Sequence, residues 1–321
     1  MKKKLFIVFA ALVWTVALVA QNISVVTADG GTSLFHTLDE AIAFVNENAG
    51  CVVYLPGGGF PVSDNSKITQ KVTVIGIGHY INNEGNEDGR TIIEGNLWLN
   101  EGSSGSAIMA CYITGNVNIG QNDAEVNDVT IKFCNFKSVQ VYSSKCKEMV
   151  VNQCFVREGS SFNQSQNVTI SNNVIRDVTN VGSGIIKNNV VTDNGYGTTF
   201  TGVNNCVILG NVICGRIVIG GGGSTDQNYA VGRSYGDNPV IIDATADDVF
   251  ENYNNWQVSP SSDFHFKDAY KEYESQVGIY AGTGFNDKQL APVPYIVAKQ
   301  VASETDASGK LNIKIRVKAS E

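Results

Sequence analysis

A chain of 321 residues with 33 Gly, only 6 Pro and 17% charged residues is long enough for one large domain. Its net charge of −8 becomes −11 once the three lysines at 2–4 are removed. That balance argues against a nucleic-acid partner and makes a polyanionic one unfavourable without a local basic patch.

The chain opens Met-Lys-Lys-Lys, continues with an apolar run from Leu5 to Ala20, and has a small residue before Gln21. These features predict a secretory signal peptide over 1–21, hence a secreted, periplasmic or outer-surface protein. A membrane anchor is the competing reading, but the run is shorter than a typical span, and no later stretch could cross a bilayer. No Cys stands at the cleavage point to carry a lipid. A short strand is expected over Ile23–Thr27. Thr37 and Glu40 then form a capping box, and Leu38, Ala41, Ile42 and Val45 recur at helical spacing. The predicted amphipathic helix of about three turns ends at Gly50 and would shield the open end of a strand-built core. Cys51–Leu55 reads as a buried strand stopped by Pro56.

Seven segments then superimpose: IEGNLW (93–98), IMACYI (108–113), IKFCNF (131–136), VNQCFV (151–156), ISNNVI (170–175), IKNNVV (186–191) and ILGNVI (208–213). Their ends are apolar or aromatic. Their fourth positions hold Asn96, Cys111, Cys134, Cys154, Asn173, Asn189 and Asn211, an irregular period near 20 residues. One such unit cannot bury its own apolar side chains, but stacked units share a continuous core. The fourth position is assigned to an inward turn, where Asn tolerates left-handed backbone and pairs with its neighbours. Cys serves there as a small apolar substitute, and interior free thiols are expected although a disulfide within the column is sterically conceivable. A leucine-rich solenoid also uses an Asn/Cys column, but it needs a regular Leu spacing and helical returns that are missing here. One to three further coils are expected beyond Gly220. After Pro292 and Pro294, residues 295–301 and 310–319 read as an antiparallel hairpin, with Leu311, Ile313, Ile315 and Val317 alternating with polar residues.

The stretch HTLDEAIAFVNENAGCVVYLPGGGF (36–60), followed by KVTVIGIG (71–78), resembles the opening of pectate-lyase-superfamily (pectin lyase-like) β-helix proteins. SDFHFKDAYKEYESQVGIYAG (262–282) is similar to a closing element of such domains in secreted bacterial proteins, and the tail resembles those of secreted proteins from gut Bacteroidetes. The resemblance implies an all-β fold: a single-stranded right-handed parallel β-helix with an N-terminal capping helix and a C-terminal β-hairpin. The division expected is 1–21 signal peptide, 22–285 β-helix and 286–321 hairpin extension. The superfamily holds lyases, hydrolases, isomerases and non-catalytic adhesins, so fold alone does not give function.

Just after each repeat the alignment exposes a basic column, Lys137, Arg157 and Arg176, and an acidic one, Glu158, Asp177 and Asp193. The resemblance implies a basic residue abstracting a proton beside a uronate carboxylate, with acidic residues holding substrate or calcium. In hydrolases of this kind, paired carboxylates act as acid and base. Arg157, Arg176, Asp177 and Asp193 are therefore the catalytic candidates, with Lys137 and Glu158 as substrate contacts. Opposite charges on neighbouring coils also make an ordinary ladder of solvated surface pairs. The Arg-x-Pro-x-x-Arg set of the lyases and the Asn-x-Asp, Asp-Asp, Gly-His and Arg-x-Lys set of the polygalacturonases are missing. Gly78-His79 and Asp247-Asp248 are isolated fragments of the latter. Seven Cys show no metal-ligand spacing, and His36, His79 and His265 do not cluster.

Aromatic rings suit the apolar faces of sugars. Tyr196, Tyr229 and Tyr235, in Gly- and Asn-rich loops, are the expected platforms. Trp98, Tyr142 and Trp256 are weighed beside them, with Trp98 assigned to the core from its sixth position in the repeat. Two functions are consistent with these features. The preferred one is a secreted protein that binds or presents to glycans without catalysis or cofactor. The other is a polysaccharide lyase or glycoside hydrolase, with calcium in the lyase case. The half-buried terminal hairpin is expected to pack either on the flank of the solenoid or on a protein partner.

Overall fold

The computed structural model describes residues 22–79, 89–192, 200–214, 224–226, 228–231, 240–253, 262–282, 284–286, 295–305 and 308–318. The 1–21 segment therefore lies outside the described residues.

Each coil is short because its strands are two to six residues long and its corners are tight. One complete coil runs Thr130–Lys132, Asn135–Phe136 and Val139–Val141, and the next begins at Val150. Each of the three strands pairs in parallel with its counterpart one coil away, for instance Ile131 with Ile108 and Val151, and Gln140 with Asn118 and Ser161. Repetition builds three long sheets that wind around one apolar core. This is a parallel β-helix. Ile108, Ile131, Val151, Ile170, Ile186 and Ile208 stack inside the first sheet, and Ile113, Phe136, Val156, Ile175, Val191 and Ile213 inside the second. Stacked equivalents lie ~4.8 Å apart, so like packs on like along the whole axis.

The helix α1 (Leu38–Glu47) sits where its capping box places it: Thr37 Oγ1 accepts from Glu40 N at 3.2 Å, and Glu40 Oε2 accepts from Thr37 N at 3.2 Å. Its buried stripe of Leu38, Ala41, Ile42 and Val45 closes the first end of the core. Ile23–Val26 and Thr32–Phe35 extend the first sheet there in antiparallel fashion. The hairpin pairs Tyr295–Thr305 with Leu311–Lys318.

The corner between the first and second sheets explains the Asn/Cys column. Its third position carries the left-handed backbone, in Ala110, Phe133, Gln153, Asn172, Asn188 and Gly210, all with φ between 53° and 64°. The fourth position, one residue later than the strained one, points inward and bonds along the axis. Asn173 Oδ1 accepts from Cys154 N at 2.8 Å, Asn189 Oδ1 from Asn173 N at 2.9 Å, and Asn211 Oδ1 from Asn189 N at 3.0 Å. Each amide nitrogen then donates to a carbonyl of the first sheet, as in Asn189 Nδ2 to Ile170 O at 3.0 Å. The thiols reproduce that second bond weakly, Cys134 to Ile108 O at 3.6 Å and Cys154 to Ile131 O at 3.5 Å. Burial pushes the Cys134 thiol up to about 12. Cys111 and Cys154 are likewise buried free thiols.

Two members of the column differ from the sequence alignment. Asn228 extends the ladder by one coil, accepting from Asn211 N at 3.1 Å. Asn96 is not in this column. Tyr112 pairs with Ile92, so the slot before Cys111 belongs to Thr91, fully buried and donating to Pro56 O at 2.9 Å. The segment 93–98 was matched one corner too late.

The second sheet is covered from outside as well. Phe155, Val174, Val190 and Val212 face away from the core and are buried by Phe250, Phe264, Phe266, Val277, Ile279 and Phe285. The chain of 262–286 thus forms a strap lying across the coils. The left-handed column holds it. Asn172 Nδ2 donates to Ile279 O and Ala281 O, both at 2.9 Å, Gln153 Oε1 accepts from Asn286 N at 2.7 Å, and Gly210 O accepts from Gly278 N at 2.8 Å.

Candidate functional site

The corner between the second and third sheets carries the charged residues singled out in the sequence. Lys137 and Glu158 form an ion pair at 3.4 Å with side chains 44% and 51% exposed, a solvated contact worth at most about 1 kcal/mol. Glu158 is not in register with Asp177. Three residues separate the strands at Arg157–Gly159, against two at Lys137–Ser138 and Arg176–Asp177. Gly159 therefore takes the place opposite Asp177, and a Cβ there would collide with the Asp177 carboxylate. Arg176 and Asp177 are both partly buried at this corner, and Asp193 lies outside the described residues.

Arg157 reaches back over two coils. Its guanidinium stacks on the Tyr112 ring at 4.8 Å, donates to the Tyr112 hydroxyl, and donates to Ile113 O at 2.8 Å and Thr114 O at 3.0 Å. Arg90 stacks on the same ring at 4.4 Å. These bonds commit the guanidinium to holding coils together. Arg157→Ala is expected to lower stability by about 1–3 kcal/mol through the unpaired acceptors and lost stacking. A fall in thermal midpoint with ligand binding unchanged is the expected result. Loss of binding at unchanged stability would assign Arg157 to a ligand site instead.

The aromatic platforms fall differently from the sequence expectation. Tyr229 lies on a strand, 8% exposed, against Tyr273 at 5.1 Å, and burial raises its phenol. It belongs to the strap's apolar cluster, so it offers no exposed face. Tyr196, Tyr235 and Trp256 lie outside the described residues. Trp98, assigned to the core from the sequence, instead points outward from the third sheet between buried Leu97 and Leu99. The register shift at 93–98 explains the reversal, because side chains alternate faces along a strand.

Trp98 and Tyr142 stack with ring centroids 5.9 Å apart and planes 26° from parallel. They come from coils two apart and meet over Asn118, which is 1% exposed and whose Oδ1 lies 3.4 Å from the Tyr142 hydroxyl. Tyr142 remains 47% exposed. Lys67 Nζ stands 5.9 Å from the Trp98 ring and donates to Gln121 at 2.6 Å.

Polar groups border this pair on both sides. On one side a chain of bonds runs along the corner of the coils. Asp64 accepts from Asn96 at 2.9 Å and from the Trp98 indole at 3.3 Å, and Asn96 accepts from Asn116 N at 2.9 Å. Ser138 donates to Asn116 at 2.9 Å, and Gln140 donates to Ser138 at 2.9 Å. Asn96 therefore does serve in an axial polar ladder, at a different corner from the one assigned. On the other side is an open polar concavity of about 350 Å³, lined by Asn100, Glu101, Gln121, Asp123, Glu125 and Lys145. Lys145 pairs with Asp123 at 2.6 Å.

The bonds from Asn96 and Trp98 hold the Asp64 carboxyl below the usual range, and Lys145 and Ser143 do the same for Asp123. Both are hydrogen-bond acceptors throughout the neutral range. A general acid for glycoside cleavage needs the opposite shift. Among the described residues no group of three or more His, Cys, Asp or Glu is placed to hold a metal ion. No described helix is long and apolar enough to cross a membrane.

The fold and this face together define a β-solenoid bearing an exposed aromatic pair between two polar borders. Comparison with protein-family models, with curated proteins and with solved structures returns no match to this chain.

Proposed function

We propose that this chain is a secreted or cell-surface protein of the pectin lyase-like kind, with a signal peptide over 1–21 and a β-helix over 22–285, that binds extended glycans without cleaving them. The reading places the sugar on the outer face of the third sheet, one ring against Trp98 and Tyr142. The observation that carries it is this pair: the half-buried Trp98 and the 47% exposed Tyr142, stacked on the outer face of the third sheet and bordered by amides and hydroxyls. Apolar sugar faces gain from such a platform while equatorial hydroxyls reach the polar borders. Gln140, Ser161, Thr179 and Thr201 continue the face coil by coil, so an extended polymer meets a repeating polar surface. The reading without catalysis is supported by Arg157, the basic candidate, being bonded to Tyr112 and two backbone carbonyls.

Retention of the protein on immobilised plant, algal and host polysaccharides tests the reading. Trp98→Ala is expected to weaken binding by about tenfold or more, since an aromatic stack is worth ~1.5 kcal/mol or more with its buried area. The thermal midpoint should fall by only a few degrees, because the half-buried ring gives up its stack on Tyr142 and its bond to Asp64 but no core packing. New reducing ends or an unsaturated product in the same incubations would instead establish the lyase or hydrolase alternative at Arg157, Arg176, Asp177 and Asp193.

A further inference from the structure

Resting on the glycan reading above, we infer that the polymer taken by this face is uncharged, and that its specificity is set by the acidic border next to the aromatic pair. Around Trp98 and Tyr142 stand four carboxylates, Asp64, Glu101, Asp123 and Glu125. Among the described residues two ammonium groups face them. Lys145 is neutralised by Asp123 at 2.6 Å, and Lys67 is turned toward Gln121 and the Trp98 ring. Glu101 and Glu125 are exposed at the mouth of the concavity. A polymer lying on the stacked rings has this mouth at its flank, because Asn100 follows the strand that carries Trp98 and Tyr142 sits at the same corner as the concavity.

A polyuronate would bring one carboxylate per sugar into that field, and like charges at a binding face act strongly against a partner. A neutral polymer meets no such repulsion. Its hydroxyls donate to Glu101 and Glu125 and accept from Gln121 and Asn122, groups the concavity already presents. Arg157 and Lys137, which could offset the field, stand at the corner that also carries Asp64, away from the concavity, and are bonded to Tyr112 and Glu158.

The test uses the full-length protein on xylan, β-glucan and galactan, compared with polygalacturonate and alginate. Retention on at least one neutral polymer, lost in Trp98→Ala and little changed between about 0.05 and 0.5 M salt, is the expected result. The doubly substituted Glu101→Lys, Glu125→Lys protein should acquire retention on polygalacturonate that salt abolishes, while its retention on the neutral polymer weakens through the two lost hydroxyl acceptors. Trp98-dependent binding of polygalacturonate by the unaltered protein would overturn the inference while leaving the glycan reading intact. Failure of the double variant to acquire it would overturn the charge argument. Retention on none of the five polymers, or retention indifferent to Trp98→Ala, would overturn the glycan reading itself.

Discussion

Replacing Asn189 by Ala is expected to destabilise the fold by about 3–5 kcal/mol. The amide makes four bonds at zero exposure: its oxygen accepts from the backbone and the side chain of Asn173, and its nitrogen donates to Ile170 O and to Asn211. Truncation leaves the Asn173 N–H buried without a partner, at about 1–3 kcal/mol, takes the side-chain bond from the Ile170 carbonyl, and opens a gap where the side chain stood. Each neighbour in the file loses its own support, so the cost exceeds a single deletion. Thermal unfolding should show the midpoint falling by roughly 6–15 °C, at about 2–3 °C per kcal/mol for a domain of this size. Asn189→Cys is expected to fall between, since a thiol in this slot reaches the same carbonyl at a longer distance, as Cys154 does. A midpoint unchanged by Asn189→Ala would mean that the ladder contributes nothing.

The second large effect is at Val190. This residue faces outward from the second sheet yet is fully buried, because the strap lies over it. Val190→Asp places an unpaired carboxylate between Val174, Val212 and the strap residues Val277 and Ile279. Burying it would cost several kcal/mol, so releasing the strap is the cheaper outcome. Limited proteolysis should cut within 262–286 in the variant and not in the unaltered protein, while the three-sheet core, whose inward-facing residues are untouched, stays resistant. Equal resistance in both would show that the strap is not held by this surface.

Much of the architecture was legible because the repeat is covalently encoded: an apolar residue at each end of six, with Asn or Cys fourth, lands on the same corner coil after coil. Asn173, Asn189 and Asn211 stood out for that reason. Asn228 escaped because its segment begins at Thr225, and the apolar end that defined the pattern is missing. Asn96 was drawn in because IEGNLW satisfies the pattern while sitting one corner further along. That single slip turned Trp98 to the wrong face, and with it hid the aromatic pair. Tyr142 is among the aromatic candidates of the sequence, but nothing there pairs it with Trp98, two coils away in space and 44 residues away in sequence. Lys137, Arg157, Glu158, Arg176 and Asp177 share one corner, while Asp193 lies outside the described residues. Nothing in the sequence revealed that Glu158 is one residue extra, or that Arg157 is committed to Tyr112. The strap's position across Phe155, Val174, Val190 and Val212 was likewise unreadable, since outward apolar residues in a repeat look the same whether covered or bare.

The most direct test of the account is a crystal structure of the protein grown with the neutral oligosaccharide that it retains best. The account predicts a sugar ring in contact with Trp98 and Tyr142, with hydroxyls bonded to the borders formed by Gln140 and by Glu101 and Gln121. A sugar seated instead at the corner of Arg157, Arg176 and Asp177, with the aromatic pair bare, would contradict it.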